Sequence, residues 1–285
     1  MSISNSSVRA NQVLILIKQD IARTLQGTHG QLFLIFFAIF WFWVLWQCSG
    51  GVANSLAQTS NEFDQTWLLN IVFSWIFDGD QQVLFAQHPA TLSLYYLLVI
   101  STMPLFVLLA ASNQTAGDIG SKYLRFLIPR CTRTEIYVGR FLGNCISINF
   151  AYLIVTLCAA FLSLSIDNNA SLINVFMYSL QITLSIVFYS LPFVAIMALC
   201  SASLGSASLS ALTGSSLYSV LALIITFVSI RWPEIKNIGY LMPSVTKSLH
   251  LSLDFGDLLS AGMVAALFVA IFSGAGWYVF QRRDI

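Results

Sequence analysis

Six long apolar stretches dominate the sequence, at about 31–47, 92–116, 141–166, 172–200, 209–229 and 258–280. About 20 predominantly apolar residues are enough for a helix to cross the hydrocarbon of a bilayer. Only 9% of the residues are charged, compared with about 25% in soluble domains. We therefore predict an all-α integral membrane protein with six transmembrane helices in one domain over residues 1–285, and no nucleic-acid partner.

The basic residues predict how these six spans, numbered in chain order, are oriented. Ten of the thirteen Lys and Arg residues fall before span 1, between spans 2 and 3, or after span 6. Basic residues favour the cytoplasmic side of a membrane, so both termini are predicted to be cytoplasmic. The segments 48–90 and 230–257 are then external. The apolar stretch 67–77 is too short to cross and is expected to lie at the surface.

Residues 8–25 are predicted to form an interfacial elbow helix, which lies along the membrane surface before span 1. Four apolar side chains fall on one helical face, and three charged ones fall elsewhere. The apolar set is Leu14, Ile17, Ile21 and Leu25, and the charged set is Lys18, Asp20 and Arg23. The alternative is an ordinary polar tail, because residues 13–17 are apolar on every side.

The segment Asp118–Gly143 between spans 2 and 3 holds five of the thirteen Lys and Arg residues. Its apolar side chains at 119, 123, 126 and 127 recur at helical spacing, which predicts a short amphipathic helix over 118–127. Pro129 is expected to end this helix, because a proline disfavours helical geometry in Ile128 before it.

Two interpretations of this basic segment are open. It can be a loop that binds lipid headgroups, to which each basic residue contributes about 1 kcal/mol. Alternatively, the helix presents Tyr123, Arg125 and Phe126 to a partner protein, since aromatic residues and Arg are enriched at the energetic centres of interfaces.

The same segment resembles the cytoplasmic loop of membrane subunits in the ABC-2 family of ABC transporters. The shared pattern is an acidic residue, Gly-Ser, Leu-x-x-Leu, Pro, Arg, and Gly-Arg-Phe-Leu-Gly at the start of a span. It lies at Asp118, Gly120, Ser121, Leu124, Leu127, Pro129, Arg133, Gly139, Arg140, Leu142 and Gly143. The chain departs from the pattern in having Asp118 where Glu is commoner and Arg140 where Lys is frequent. The ending Phe280, Arg282, Arg283, Asp284 and Ile285 is also similar to that of such subunits.

The resemblance implies a coupling helix that fits a groove in a separate ATP-binding subunit. Two membrane subunits, identical or homologous, would pair with two such ATPases. The implied coupling residues are Asp118, Gly120, Ser121, Lys122, Tyr123, Arg125, Phe126, Leu127, Pro129 and Arg133. None of the four lysines follows a glycine, so a Walker A motif is absent. ATP and Mg are therefore expected on the partner, with no cofactor and no enzymatic activity in this chain.

The resemblance further implies a permease that acts as an exporter in a bacterial inner (plasma) membrane. The external segments are where a periplasmic protein would bind it. No metal site is predicted, because the five cysteines show no CxxC spacing.

A secondary transporter and a membrane assembly factor remain as alternatives. The six spans as predicted contain no Asp, Glu, Lys, Arg or His, whereas ion-coupled transporters place such residues within the membrane. An uncharged pathway would be lined by Asn144, Asn149 and Gln181, whose other interpretation is hydrogen bonding between helices. An intramembrane enzyme is disfavoured, because HExxH and GxSxG motifs are absent.

Overall fold

A computed structural model describes residues 2–47, 88–167, 171–231 and 242–283, and all regular elements in these ranges are helical. The helices are α1 Ser2–Gln26, α2 Thr28–Gln47, α3 Ala90–Ala110, α4 Ala116–Gly120, α5 Leu124–Leu127, α6 Arg133–Ile166, α7 Leu172–Leu204, α8 Ala207–Arg231, α9 Lys247–Ser252 and α10 Phe255–Arg282. Single 3-10 turns cover Ala111–Asn113 and Pro243–Thr246. Most of the predicted external segments, including the stretch 67–77, lies outside the described residues.

Six of these helices are long and apolar enough to cross a membrane, which confirms the predicted number of spans. They are α2, α3, α6, α7, α8 and α10. Large apolar side chains cover their outer faces: Phe42, Leu223 and Phe227 expose 69%, 69% and 66% of their surface. A soluble monomer rarely exposes apolar surface on this scale. The chain is a multi-pass helical membrane protein.

Helices α3 and α7 form the centre of the bundle, and α2 and α8 are the least buried of the six spans. α7 packs along α10, α6 and α3. Buried hydroxyl groups join the central helices: Tyr95 pairs with Thr156 at 2.9 Å, and Ser190 donates to Asn149 Oδ1 at 3.2 Å. Such bonds hold spans together where lipid removes most of the hydrophobic driving force between helices.

Helix α6 begins at Arg133, eight residues before the predicted start of span 3. Thr132 accepts a hydrogen bond from the backbone of Glu135, whose carboxylate accepts one from the backbone of Thr132. This reciprocal capping box satisfies two backbone groups at the start of the helix. The basic run from Arg133 to Arg140 is therefore the first part of a continuous 34-residue helix.

At the opposite end of the bundle, α9 docks through the buried His250. Tyr96 donates its hydroxyl proton to the His250 carbonyl at 2.6 Å. Ser185 therefore donates to the Tyr96 hydroxyl oxygen, which lies 2.6 Å from Ser185 Oγ. Ser185 then accepts from His250 Nδ1 at 2.9 Å. The imidazole carries its proton on Nδ1, and Nε2 has no hydrogen-bond partner among the described residues. Burial lowers the pKa of His250 to about 4.

Candidate functional site

A buried cluster of charges ties the loop between α3 and α6 to the N-terminal helix. Arg140 on α6 donates to Asp118 on α4 and to Asp20 on α1, each at 2.8 Å. Arg23 donates to the other oxygen of Asp118 at 2.6 Å. Asp118, one of the implied coupling residues, is fully buried, and its carboxylate binds Arg140 and Arg23 within the chain.

The charges of this cluster balance, with two carboxylates facing two guanidinium groups. Burial of Asp20 disfavours its ionised form more than Arg140 stabilises it, and raises the pKa of Asp20 to about 6. Asn144 donates to the second carboxylate oxygen of Asp20 at 3.0 Å. Removing one partner of such a buried pair leaves an uncompensated charge, which costs about 3–5 kcal/mol.

Two glycines on α6 allow α1 to approach closely enough to form the cluster. A Cβ added at Gly139 would lie 2.8 Å from Leu16 Cβ, and one at Gly143 would lie 2.8 Å from Asp20 Cβ. Residues four apart lie on one face of a helix, and such small-xxx-small pairs bring helix backbones together in membranes. This packing gives the physical reason for both glycines in the Gly-Arg-Phe-Leu-Gly motif.

The predicted single helix over 118–127 is instead two short helices, α4 and α5, separated by a turn. Lys122 in that turn has a φ of 57°, which breaks the helical path. α5 ends at Leu127, where the prediction placed the end of the helix, but Ile128 keeps helical angles of −56° and −37°, so the predicted reason for that end is wrong. The loop is therefore folded by its tertiary contacts rather than by its own helical periodicity.

Helix α5 has one buried and one exposed face. Leu124 and Leu127 are buried in a small core with Ile136, Tyr137 and Phe280. Leu127, one of the implied coupling residues, therefore packs inside the chain. Phe126 is 74% exposed, and Tyr123 is half-buried and accepts a hydrogen bond from Gln19 on α1 at 3.1 Å. The remaining exposed positions between α3 and α6 are Gly120, Ser121, Lys122, Arg125, Ile128, Pro129, Arg130 and Thr132.

Two arginines from segments predicted to be cytoplasmic bind backbone carbonyl groups at the ends of helices. Arg133 donates to the carbonyls of Gln281 at 2.7 Å and Arg283 at 2.8 Å, at the end of α10. Arg283 donates to the carbonyls of Ala202 and Ser203, both at 2.7 Å, near the end of α7. Cations are stabilising at these carbonyls, which lack helical partners. Arg133, one of the implied coupling residues, therefore joins the start of α6 to the end of α10.

The loop also contacts the turn between α7 and α8. A Cβ at Gly120 would lie 2.7 Å from the Gly205 carbonyl oxygen, so only a residue without a side chain fits there. Gly205 itself has a φ of +67°, in the left-handed region that favours glycine. The loop thus rests on α1, on α6 and on this turn.

The three amides proposed to line a pathway do not converge. Asn149 donates to the Cys145 carbonyl at 2.8 Å and accepts from Ser190, which makes it a contact between helices. Gln181 is exposed on α7. Asn144, in contrast, lines a cavity of about 460 Å³ beside the charge cluster.

This cavity lies where α1, α2, α3, α6 and α8 meet. Asp20 and Arg23 stand in its wall next to the charge cluster. Further along α2 and α6 the wall becomes apolar, with Phe33, Leu34 and Ile148. In the part of the chain that the structure describes, no group of three His, Cys, Asp or Glu residues is placed to hold a metal ion.

No known family matches. Neither the models of known protein families nor the curated proteins give a match to this sequence. Its function is therefore inferred from its own residues and from the resemblance of its basic segment to the ABC-2 loop.

Proposed function

We propose that this chain is the permease subunit of an ATP-driven transporter of the ABC-2 type, and that it works as an exporter with a separate ATP-binding subunit. The observation that carries this proposal is the exposure of Phe126. Its ring stands on α5 beside the exposed Arg125, while the opposite face of α5 is buried. A fixed aromatic side chain flanked by a cation suits the centre of a protein interface.

The attachment of α5 supports a mechanical role. The charge cluster joins α4 to both α1 and α6, and α6 runs unbroken from Arg133 to Ile166. A displacement of α5 by a closing ATPase would therefore move the start of α6 with it. Such a shift between packed elements is a known form of conformational switching.

The same proposal gives the subunit composition and the orientation of the assembly. Two permeases, as identical or homologous copies, pair with two ATPases that carry ATP and Mg. Both termini and α5 face the cytoplasm of a bacterial cell whose inner membrane holds the spans. The exposed faces of α2 and α8 are available to lipid or to the second permease, and a periplasmic protein would bind at the external segments.

Replacement of Tyr123, Arg125 and Phe126 together by Ala tests the coupling surface. The triple variant is expected to insert normally but to lose the ATPase during purification in mild detergent, or to lose transport-coupled ATP hydrolysis. A matched control is the double variant Phe255→Ala with Arg231→Ala, which removes an exposed aromatic ring and an exposed cation from the other end of the bundle. Equal ATPase retention and coupling in the triple variant would refute the proposal.

Cysteine labelling tests the orientation. In a cysteine-free background, Ser121→Cys and Asn5→Cys should react from the cytoplasm, and Asn61→Cys from outside. Labelling of the opposite sides would reverse the topology.

A proton-coupled secondary transporter is the second candidate, and Asp20 favours it. The predicted spans contain no ionisable residues, but α6 begins at Arg133 and so contains the buried Arg140, which lies beside Asp20. Asp20 lines the cavity, and its pKa is raised to about 6. Purified chain in proteoliposomes should then take up protons with its cargo in the absence of ATP and any ATPase, whereas the proposed function predicts no transport under those conditions.

A further inference from the structure

Helix α9 is too short to be stable by itself. It has six residues, whereas isolated helices shorter than about 12–15 residues are marginal in water. Its place therefore depends on docking, in which His250 and Leu251 are its buried side chains. His250 contacts Tyr96 on α3, and Ser185 and Tyr189 on α7. Docking of α9 against the two central helices is thus centred on one histidine.

Leu253 joins α9 to α10 in a strained conformation. Its φ of 54° and ψ of 8° lie in the left-handed region, which costs a residue other than glycine about 1–2 kcal/mol. The Leu253 side chain is buried in the same core as Tyr96 and Tyr189, and this burial holds the backbone in place. Undocking of α9 relieves the strain, so Leu253 is the natural hinge for such a movement.

The docked imidazole has no place for a second proton. Nδ1 already donates to Ser185, and Nε2 is buried with no hydrogen-bond partner among the described residues. A proton on Nε2 would therefore create a cation without water or a counter-charge, which is strongly unfavourable. The His250 side chain has no exposed surface, so a proton reaches Nε2 only when α9 moves.

The titratable groups around α9 do not compensate such a charge. On the spans they are tyrosines: Tyr96 and Tyr189 contact His250, and Tyr218 bonds Ser244 in the turn before α9. On α9 itself Lys247 is a further cation, which disfavours a second positive charge. On α10 Asp254 is exposed, and Asp257 accepts a hydrogen bond from Ser252 at 2.7 Å. None of these carboxylates forms an ion pair with the ring within the described ranges.

We infer that α9 is an acid-released cap over the polar groups between α3 and α7. Above neutral pH the cap covers the hydroxyl groups of Tyr96 and Ser185. Protonation of His250 releases the cap, which pivots at Leu253 and uncovers both hydroxyl groups. With the topology predicted from the basic residues, the cap lies at the external end of the bundle and responds to an acidic exterior. Its release involves no ATPase and no part of the basic segment.

Proton linkage gives the size of the effect. The pKa of His250 is about 4 when α9 is docked, whereas the usual value of a histidine is 6.5. Docking is therefore fully stabilised above pH 6.5, and this stabilisation is lost as the pH falls towards 4. Between pH 7.5 and pH 5 the ratio of released to docked α9 should rise about 30-fold, as follows from these two pKa values.

Hydrogen exchange of the purified chain, followed by mass spectrometry, tests the cap. The quantity compared is the protection factor, the intrinsic exchange rate divided by the measured one, which removes the direct effect of pH on exchange. The amides of α9 should lose about 30-fold in protection between pH 7.5 and pH 5, whereas those in the middle of α10 should keep theirs. Unchanged protection of α9, or an equal loss in α10, would overturn the inference.

Two histidine variants separate this cap from general acid sensitivity. His250→Asn does not titrate, so the protection of its α9 should not depend on pH. His88→Asn is the matched control, because His88 stacks on Tyr178 near the start of α7 and does not contact α9 in the structure. It should lose protection as the wild type does. The same pH dependence in His250→Asn as in the wild type would overturn the inference.

The wild-type profile is decisive even if His250→Asn does not fold. The logarithm of the α9 protection factor should be constant above about pH 7 and fall by about one unit per pH unit between pH 6 and pH 4.5, as expected for a single imidazole. A fall that begins only below pH 4.5, as carboxylates would give, would overturn the assignment to His250.

Discussion

Arg140 Nη1 lies 2.8 Å from Asp20 Oδ1, although 120 positions separate the two residues in the chain. The same guanidinium group binds Asp118 through Nε. One arginine therefore joins the N-terminal helix, the loop after α3 and the start of α6. These bonds attach the loop to two other segments of the fold.

Asp118→Asn should destabilise the protein strongly. The substitution leaves the buried Arg140 and the partly exposed Arg23 with only the carboxylate of Asp20, so the expected loss is about 3–5 kcal/mol. Thermal unfolding of the detergent-purified chain measures the effect. Asp254→Asn is the control, because Asp254 is exposed and its side chain does not cap α10. Equal melting temperatures for the two variants would show that the cluster does not stabilise the fold.

Gly143→Ala should separate α1 from α6. The added Cβ would lie 2.8 Å from both Cβ and Oδ2 of Asp20, and overpacking of this kind costs about 1–3 kcal/mol. Gly274→Ala on α10 is a matched control, because nothing lies within 4 Å of its added Cβ. In that control the better helix propensity of Ala should leave stability unchanged or raise it by about 1 kcal/mol at most. A melting temperature of Gly143→Ala at or above that of Gly274→Ala would contradict the close packing.

Titration of Asp20 should make stability fall as the pH rises. Its pKa is about 6 in the folded chain, above the usual value of 3.8, so the folded state binds the proton more tightly. The stabilisation is complete below about pH 4 and is lost as the pH rises through about 6. Asp20→Asn cannot titrate, so the wild type should lose stability relative to this variant across that window. Parallel profiles of stability against pH for the two proteins would refute the raised pKa of Asp20.

Titration of His250 should act in the opposite direction. Its pKa is lowered from 6.5 to about 4, so the stabilisation is present above pH 6.5 and is lost as the pH falls through about 4. His250 faces Tyr96, Ser185 and Tyr189, which are neutral in this range. His250→Asn keeps a donor for Ser185 but does not titrate. As the pH rises from 4 to 6.5, the wild type should therefore gain stability relative to this variant. A stability difference that stays constant with pH would count against the buried, Nδ1-protonated imidazole.

The opposite signs of the two titrations separate them experimentally. Each is read as a difference from a variant that cannot titrate, so the acid sensitivity of the rest of the protein cancels. The double variant Asp20→Asn with His250→Asn should show the sum of the two differences, since the groups lie in different parts of the bundle.

The number of spans and their approximate positions were predictable from the sequence, because twenty apolar residues in a row have one stable arrangement in a bilayer. The start of α6 was predictable too, although it was missed. Thr132 and Glu135 have the spacing of a capping box, and that signal places the start of the helix eight residues earlier than the apolar run does.

Only the tertiary structure decided which charged side chains are paired within the chain. Asp20 has the pattern of a residue on the polar face of an amphipathic helix, and Asp118 and Arg133 have the pattern of an exposed basic loop. Burial of Asp20 and Asp118 is stable because Arg140 comes from a third segment to pair with both, and local periodicity carries no information about partners so distant in the chain. The helical stripe grouped Phe126 with Leu127 on one face, but Phe126 is exposed, whereas Leu127 is buried because Tyr137 and Phe280 pack with it. The sequence by itself determined a helical membrane protein with a basic loop, and long-range pairing determined which face of that loop is exposed.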